Sequence, residues 1–246
     1  MKLLSIGNSF SVDAHRWLHD IAVAHGVELY NVNLYIGGCS LMRHWNNAVE
    51  NKAAYDLYIY GVSVERKISI ADALAMDNWD VVTVQQASPV SGKPSSYEPY
   101  LSNLVGLIRQ TNPQAKVYFH QTWAYELDAP TQNFLNYDRD QRKMYECIVQ
   151  TTEKEARSID ADLIPSGQVI QYLRENVKEF DYANGGLSLN RDGHHLSLDY
   201  GRYTAGATWF ATLFGEKLFI KELQDFDPVL IGKINTAVNL VCFAKK

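Results

Sequence analysis

The chain is poor in cysteine and has no long hydrophobic run. Its three cysteines, Cys39, Cys147 and Cys242, are not spaced as metal ligands, and their odd number argues against a disulfide framework. No stretch reaches the roughly 18 apolar residues that a membrane-spanning helix needs. The mostly apolar residues 3–6 before Gly7 are too few for a signal-peptide core. We therefore expect reduced thiols, no membrane partner and, for the chain as printed, a cytoplasmic location.

An excess of positive charge is also missing. Lysine and arginine number 23 against 28 aspartates and glutamates, giving a net charge of −5, whereas nucleic-acid-binding surfaces are usually basic. The sequence has no glycine-rich phosphate loop with its lysine and no His-Glu-x-x-His motif. These absences argue against a nucleic-acid partner, a nucleotide-binding loop and that type of zinc site, and we expect no cofactor. The hydrophobic fraction of 46% predicts a globular chain, and some of the 15 tyrosines and 5 tryptophans are available to line a groove.

Apolar runs alternate with helical patterns along the chain. The alternation predicts one domain over residues 1–246, a three-layer α/β/α sandwich with a parallel sheet of about five strands. The predicted strands are 2–6, 28–36, 80–85, 116–120 and 162–164. The predicted helices are 12–25, 41–50, 70–76, 97–110, 138–158, 168–178, 200–214 and 227–241. Segments 55–60 and 64–68 are expected to form a small hairpin inserted beside this sheet.

The connections after the strands are the places to look for a site, because ligands of open α/β sheets bind beyond the carboxyl ends of the strands. Four of these connections are polar or glycine-rich, namely 7–11, 37–40, 85–88 and 120–123. The first reads Gly-Asn-Ser-Phe-Ser and leads from a predicted strand into a predicted helix. A sharp turn at this point can present a serine hydroxyl at the end of the sheet.

Ser9, in that turn, has candidate partners near the other end of the chain. Asp192 precedes His195 by three residues, so one loop can fold back and pair the carboxylate with the imidazole. A neutral histidine can take the proton of a serine hydroxyl, and a carboxylate fixes the imidazole tautomer and stabilises the imidazolium. We predict that Ser9, His195 and Asp192 form a catalytic triad.

Each part of this triad also has a plainer interpretation. Ser9 or Ser11 can simply cap the helix that follows. Asp192-Gly193 can be an ordinary turn. His194 is an alternative partner for the carboxylate, although we expect it to point the other way.

A metal site is the competing chemistry for some of these residues. Asp192, His194 and His195 can in principle ligate zinc, and so can His15 and His19 at helical i, i+4 spacing. Without a zinc motif or a cysteine cluster we expect no catalytic metal, and we interpret His15 and His19 as a solvated helix face.

Acyl transfer also needs hydrogen-bond donors aimed at the developing oxyanion. The backbone amide of Ser9 at the start of a helix is one candidate. An amide of Gly37-Gly38 is a second, because glycine lets the backbone approach a ligand closely. The side chain of Gln85 or Gln86 is a third, and neighbouring strand residues face opposite ways, so the two glutamines are alternatives.

Together these segments resemble the SGNH (GDSL-type) hydrolases, in motif order and over nearly the whole chain. Gly7-Asn8-Ser9 is similar to their Gly-Asp-Ser block, with asparagine in place of the aspartate, and Asp192 to His195 is similar to their Asp-x-x-His block. The family's Gly-x-Asn-Asp block is absent. Residues 85–88, Gln-Gln-Ala-Ser, look more like the Gln-Gly-Glu-Ser variant of sialate and xylan acetylesterase relatives.

The resemblance implies a flavodoxin-like SGNH hydrolase fold and a serine mechanism. It implies an oxyanion hole built from the Ser9 amide, the Gly38 amide and the Gln85 side chain. His195 takes the proton of Ser9, which attacks an ester carbonyl, and water then releases the acid from an acyl-enzyme.

The expected activity is hydrolysis of a small acyl ester, acetyl above all, on a small molecule or an oligosaccharide. No long apolar lid is evident in the sequence, which favours a carbohydrate ester over a lipid. The alternatives are a lipase- or thioesterase-type member and a catalytically weak or inactive carbohydrate-binding protein. The sequence does not indicate an oligomeric state.

Overall fold

One mixed sheet forms the centre of the protein. The computed structural model describes residues 1–224 and 226–244, and in them the sheet has seven strands in the order β4-β3-β2-β1-β5-β6-β7. The strands are β1 (Lys2–Gly7), β2 (Tyr30–Tyr35), β3 (Tyr55–Ile59), β4 (Val62–Ile68), β5 (Val81–Val84), β6 (Lys116–His120) and β7 (Asp162–Ile164). Strands β2, β1, β5, β6 and β7 are parallel, so the predicted parallel core is confirmed.

The hairpin of β3 and β4 enlarges this sheet. It pairs antiparallel with β2, so the sheet has two strands more than the five expected from the sequence. A register shift between Asp56 and Tyr58 and a left-handed Glu65 (φ 52°) interrupt the outer pairing. Irregularities of this kind make an edge strand a poorer template for pairing with another chain.

Helices cover both faces of the sheet. The helices of the described chain are α1 (Ser9–Ala24), α2 (Leu41–Val49), α3 (Ile70–Leu74), α4 (Tyr100–Thr111), α5 (Gln141–Ser158), α6 (Ser166–Asn176), α7 (Tyr200–Phe214) and α8 (Pro228–Cys242). Neighbouring strand residues point to opposite faces. Leu3 therefore joins the apolar cluster under α1, α6, α7 and α8, and Leu4 joins the cluster under α2, α3 and α4. None of these helices combines the length and apolar content needed to cross a membrane.

Capping decides where the helices begin. Helix α1 starts at Ser9, three residues earlier than expected, because the Asn8 side chain accepts a hydrogen bond from the Phe10 amide. The interpretation of Ser9 or Ser11 as the cap is therefore wrong. Helix α5 starts at Gln141 rather than at 138, since the side chain of Asp140 caps it through the Lys143 amide.

Because the strands are parallel, the four polar connections lie at the same end of the sheet, beyond the carboxyl ends of the strands. The order reverses at β1, whose neighbours are β2 on one side and β5 on the other. In open α/β sheets the crevice at such a reversal is the usual ligand site. The residues after β1 and β5, Ser9 and Gln85 among them, follow the two strands on either side of this reversal.

Candidate active site

The turn after β1 is tightly packed. A Cβ placed on Gly7 would lie 2.2 Å from the Ser11 hydroxyl and 3.3 Å from Gln85 Oε1, so only glycine fits. Ser9 follows as the first residue of α1 and is partly exposed. Its amide has no acceptor within the helix, because the first amides of a helix lack an intrahelical partner. This turn therefore presents a hydroxyl and, at the same point, an amide that has no acceptor among the described residues.

The carboxylate and the imidazole predicted to pair do so. Asp192 Oδ2 lies 2.7 Å from His195 Nδ1, and Asp192 Oδ1 accepts the amides of His194 and His195 at 3.1 and 2.7 Å. Gly193 has a φ of 83°, a left-handed conformation that favours glycine and lets the loop fold back. Asp192-Gly193 is thus a turn, and its carboxylate is also hydrogen-bonded to the His195 ring.

Electrostatics keep this carboxylate ionised. Partial burial acts to raise the pKa of Asp192, but the hydrogen bonds from the ring and amide of His195 and the amide of His194 outweigh it and bring the pKa to about 2. An ionised carboxylate on Nδ1 leaves Nε2 of His195 as the ring atom available to a hydroxyl.

His194 is held differently from its neighbour. Its Nδ1 is 3.2 Å from Asp192 Oδ1 without forming a hydrogen bond, and its carbonyl accepts the Trp123 indole N–H at 2.8 Å. Burial first, and then the neighbouring His195, lower its pKa. The structure therefore favours His195 over His194 as the partner of Asp192.

The two groups of residues considered as metal ligands have different surroundings in the structure. Asp192, His194 and His195 place one ligand atom each within 4.8 Å of one another, which is close enough for a shared ion. His15 and His19 do not form a solvated face as expected, because His15 is buried and bonds to Ser5 and Asn31. The i, i+4 pair is thus split between a core residue and the surface. That interpretation of the pair is wrong.

Aromatic packing brings residues 190–196, the histidine loop, to the start of α1. The ring centroid of His195 is 6.1 Å from that of Phe10, which is next to Ser9 in sequence. Phe10 in turn stacks on Trp123 at 4.0 Å. Ser9 Oγ forms no hydrogen bond to His195 in this structure, so the serine–histidine contact stays a prediction. Such contacts are often long in unliganded sites.

A buried carboxylate, Asp13, anchors the histidine loop to α1. It accepts hydrogen bonds from Arg202 Nε at 2.7 Å, Arg191 Nη1 at 3.1 Å and the Leu196 amide at 2.9 Å. Its side chain is 1% exposed. This anchoring role of Asp13 was not predicted from the sequence. The pattern that could have indicated it is an aspartate one helical turn after Ser9 together with two arginines, Arg191 and Arg202, on either side of Asp192 and His195 in the sequence.

The glycine turn after β2 lies beside the Ser9 turn. Gly38 is exposed with a φ of 60°, and its amide has no hydrogen-bond acceptor in the described residues. The next carbonyl, of Cys39, accepts the Asn8 side-chain amide at 3.1 Å. Asn8 therefore ties the two turns together. An aspartate, as in the Gly-Asp-Ser motif, has no hydrogen to donate to that carbonyl.

The two glutamines have different neighbours. Gln86 Nε2 donates to the carbonyl and hydroxyl of Ser96, and its Oε1 accepts the Leu41 and Ala87 amides. Gln85 Nε2 instead donates to Asn8 Oδ1 at 2.6 Å, beside the Ser9 turn. Of the two, Gln85 is the one placed for the predicted donor role.

The candidate site lies apart from three cavities found in the described residues. Three cavities, of about 610, 420 and 470 Å³, are lined by other parts of the described chain. None of these three includes Ser9, Gly38, Gln85, Asp192 or His195. The site is therefore located by its side-chain chemistry, which is the Asp192–His195 pair next to the first turn of α1.

Residues 2–237 match the family described as "Domain of unknown function (DUF4886)". The chain belongs to this family. A solved DUF4886 family protein from Bacteroides uniformis ATCC 8492 is 38% identical, with a TM-score of 0.91 over 100% of this chain and 96% of that one. None of the curated protein sequences is significantly similar to this DUF4886 chain.

More distant solved structures show the fold of this DUF4886 domain. A protein from Slackia heliotrinireducens, whose own assignment as an SGNH hydrolase is a proposal, is 20% identical with a TM-score of 0.58 over 87% of this chain and 98% of that one. A variant of an acetyl-xylooligosaccharide esterase from Geobacillus Stearmophilus is 13% identical with a TM-score of 0.54 over 90% and 97%. The predicted SGNH hydrolase fold is therefore confirmed.

Proposed function

We propose that this protein is a serine esterase that hydrolyses a small acyl ester, with Ser9 as nucleophile, His195 as general base and Asp192 as the group that orients it. The observation that carries the proposal is the Asp192–His195 pair, bonded at 2.7 Å, beside the first turn of α1 in an SGNH hydrolase fold. A carboxylate and an imidazole arranged in this way are what a serine hydroxyl needs to become a nucleophile.

In the proposed mechanism, Nε2 of His195 removes the Ser9 proton as Oγ attacks the ester carbonyl. The carbonyl oxygen becomes an oxyanion, which the amides of Ser9 and Gly38 and the side-chain nitrogen of Gln85 bind. His195 then gives its proton to the leaving alcohol. A water molecule, deprotonated by His195, attacks the acyl-enzyme and releases the acid.

We propose a short acyl group, acetyl in the simplest case, on a carbohydrate. Phe10, whose ring centroid is 6.1 Å from that of His195, is buried and stacked at 4.0 Å on the buried Trp123, so we expect rings rather than a long acyl chain to fill this side of the site. One structural neighbour is described as an acetyl-xylooligosaccharide esterase, and others are described as lipases, which sets the range to be tested.

The proposal is tested by measuring how the purified protein hydrolyses p-nitrophenyl acetate and then acetylated oligosaccharides. The wild type should release p-nitrophenol, and Ser9→Ala should lose several orders of magnitude in kcat because triad members act as a unit. Ser11→Ala, two residues further on, is the matched control for removal of a hydroxyl. Its kcat is compared with its melting temperature, so that a loss of activity through unfolding is recognised. Wild-type protein without activity on any activated ester would contradict the proposal.

A carbohydrate-binding protein without turnover is the second candidate. The observation that favours it is the missing hydrogen bond between Ser9 and His195. An inactive wild type that binds an oligosaccharide in calorimetry would support this function. An active wild type with an inactive Ser9→Ala variant would exclude it.

A further inference from the structure

A line of buried polar side chains crosses the carboxyl ends of the strands behind the proposed oxyanion donors. Ser166 Oγ lies 3.1 Å from His120 Nε2, and His120 Nδ1 lies 2.8 Å from Gln85 Oε1. Gln85 Nε2 then bonds to Asn8 Oδ1 at 2.6 Å, and Asn8 Nδ2 to the Cys39 carbonyl at 3.1 Å. None of the four side chains is more than 2% exposed. We call this line the strand-end chain.

Two backbone groups fix the direction of the hydrogen bonds in the strand-end chain. The Phe10 amide can only donate, so the Asn8 atom that it contacts is Oδ1, and the Cys39 carbonyl can only accept, so Nδ2 faces it. Because Asn8 Oδ1 is an acceptor, Gln85 must turn its NH₂ group towards it. Gln85 Oε1 then faces His120, whose Nδ1 must carry the proton.

His120 is the group that makes this orientation stable. Burial, followed by the neighbouring His15, lowers its pKa to about 3, so the ring is neutral at neutral pH. A neutral ring with its proton on Nδ1 accepts the Ser166 hydroxyl at Nε2, which satisfies both nitrogens. One hydrogen of the Gln85 amide goes to Asn8, and the other has no acceptor in the parts of the chain that are described.

We propose that His120 is a positioning residue of the active site, whose Nδ1–H holds the Gln85 side chain with its NH₂ group towards the oxyanion. This inference rests on the proposed function and on the part that Gln85 has in it. If the donor at 120 is lost, only the bond to Asn8 Oδ1 still opposes rotation of the Gln85 amide, and an amide turned by half a rotation presents Oε1 to the developing negative charge. A donor would then be replaced by a repelling oxygen.

The matched pair His120→Asn and His120→Gln separates this role from packing. Asparagine carries its amide nitrogen as far from the backbone as Nδ1, whereas glutamine carries it as far as Nε2. His120→Gln should lower kcat for p-nitrophenyl acetate by about tenfold to a hundredfold, with KM nearly unchanged. Losses of this size are typical when a residue that orients a functional side chain through a hydrogen bond is replaced. His120→Asn should stay close to the wild type. Thermal melts establish that each variant is folded.

A double-mutant cycle tests whether His120 acts through Gln85. In a Gln85→Ala background, which keeps residual activity, His120→Gln should have no further effect on kcat. Multiplying effects, or equal damage by asparagine and glutamine, would overturn the proposal. If Gln85→Ala lowers kcat but His120→Gln does not, the proposal for His120 is overturned while the role of Gln85 stands. If Gln85→Ala keeps the wild-type kcat, both the proposal for His120 and the proposed role of Gln85 are overturned.

The tautomer of the His120 ring can be measured in the wild-type protein, so this test does not depend on whether a variant folds. Long-range ¹H–¹⁵N correlation spectra distinguish the two neutral histidine tautomers. We expect the proton of the His120 ring on Nδ1. A proton on Nε2 would overturn the proposal, because Nδ1 would then be unable to donate to Gln85.

Discussion

The two halves of the proposed site are held in different ways. In the strand-end chain, Gln85 and His120 are buried, and each is hydrogen-bonded on both sides by side chains at or just after the ends of neighbouring strands. In the histidine loop, the side chains of Asp192 and His195 are 42% and 23% exposed, and the loop depends on its anchor at Asp13. The sheet thus presets the donors, while the acid–base pair is positioned by a surface loop. The missing Ser9–His195 contact lies where the two halves meet.

The largest expected effect is in the histidine loop. His195→Ala should lower kcat by on the order of 10⁴–10⁶, because it removes the base that activates the serine. His194→Ala, the adjacent control, should retain most of the activity, because His194 makes no side-chain hydrogen bond to Asp192. Ester turnover of the two variants provides the measurement. Equal losses would mean that the loop as a whole, rather than His195, is required.

The next effect belongs to the strand ends. Gln85→Ala should lower kcat by about 10²–10³, the range for one lost oxyanion donor. Gln86→Ala, its neighbour, should mainly lower the melting temperature, because its amide is fully used by Ser96 and Leu41. Kinetics and thermal melts on both variants are needed. A larger kinetic loss in Gln86→Ala would shift the third donor by one residue.

A smaller effect on turnover is expected at the anchor that joins the halves. Asp13→Asn leaves Arg191 and Arg202 without their buried carboxylate, so it should lower the free energy of unfolding by about 3 kcal/mol. The loosened loop should lower kcat by about tenfold to a hundredfold with less effect on KM. Asp20→Asn, an exposed aspartate on the same helix that pairs with Arg16, is the control and should change neither. An Asp13→Asn variant with wild-type kcat would show that the loop keeps its place without the anchor.

The smallest effect per residue is on acid stability. Burial lowers the pKa of His15, His44 and His120 from 6.5 to about 3. Between these values the unfolded chain binds more protons than the folded one, so the free energy of unfolding should fall as the pH drops from 6.5 towards 3. The slope is at most about 1.4 kcal/mol per pH unit for each histidine. Urea unfolding at pH 7 and pH 5 should show this loss, and His15→Gln should reduce it. An unchanged slope in that variant would contradict the assignment.

The sequence predicted the parallel part of the fold because its strands are short apolar runs separated by amphipathic helices. Strand β6 (Lys116–His120) and helix α7 (Tyr200–Phe214) have the expected bounds. The hairpin was expected beside the sheet, but nothing in its residues indicated that β3 would pair with β2. That pairing depends on contacts between distant parts of the chain, which propensity and pattern do not report.

Within the site, sequence patterns predicted the Asp192–His195 pair but not what holds it. The pair is local, three residues apart, so spacing alone suggested it. The contacts of Asp13 with Leu196 and of Gln85 with His120 join residues far apart in the chain. His120 was noted only as a polar residue after a strand, because its partner becomes evident only when β5 and β6 are side by side.

Covalent labelling by an organophosphate ester, such as diethyl p-nitrophenyl phosphate, tests most directly whether Ser9, His195 and Asp192 form one nucleophilic site. Peptide mass spectrometry of the treated wild type should find one diethylphosphoryl group on Ser9. Labelling should be absent in Ser9→Ala and strongly slowed in His195→Ala, while His194→Ala should react at close to the wild-type rate. An unlabelled wild type, or a label on another residue that is retained in Ser9→Ala, would contradict the account.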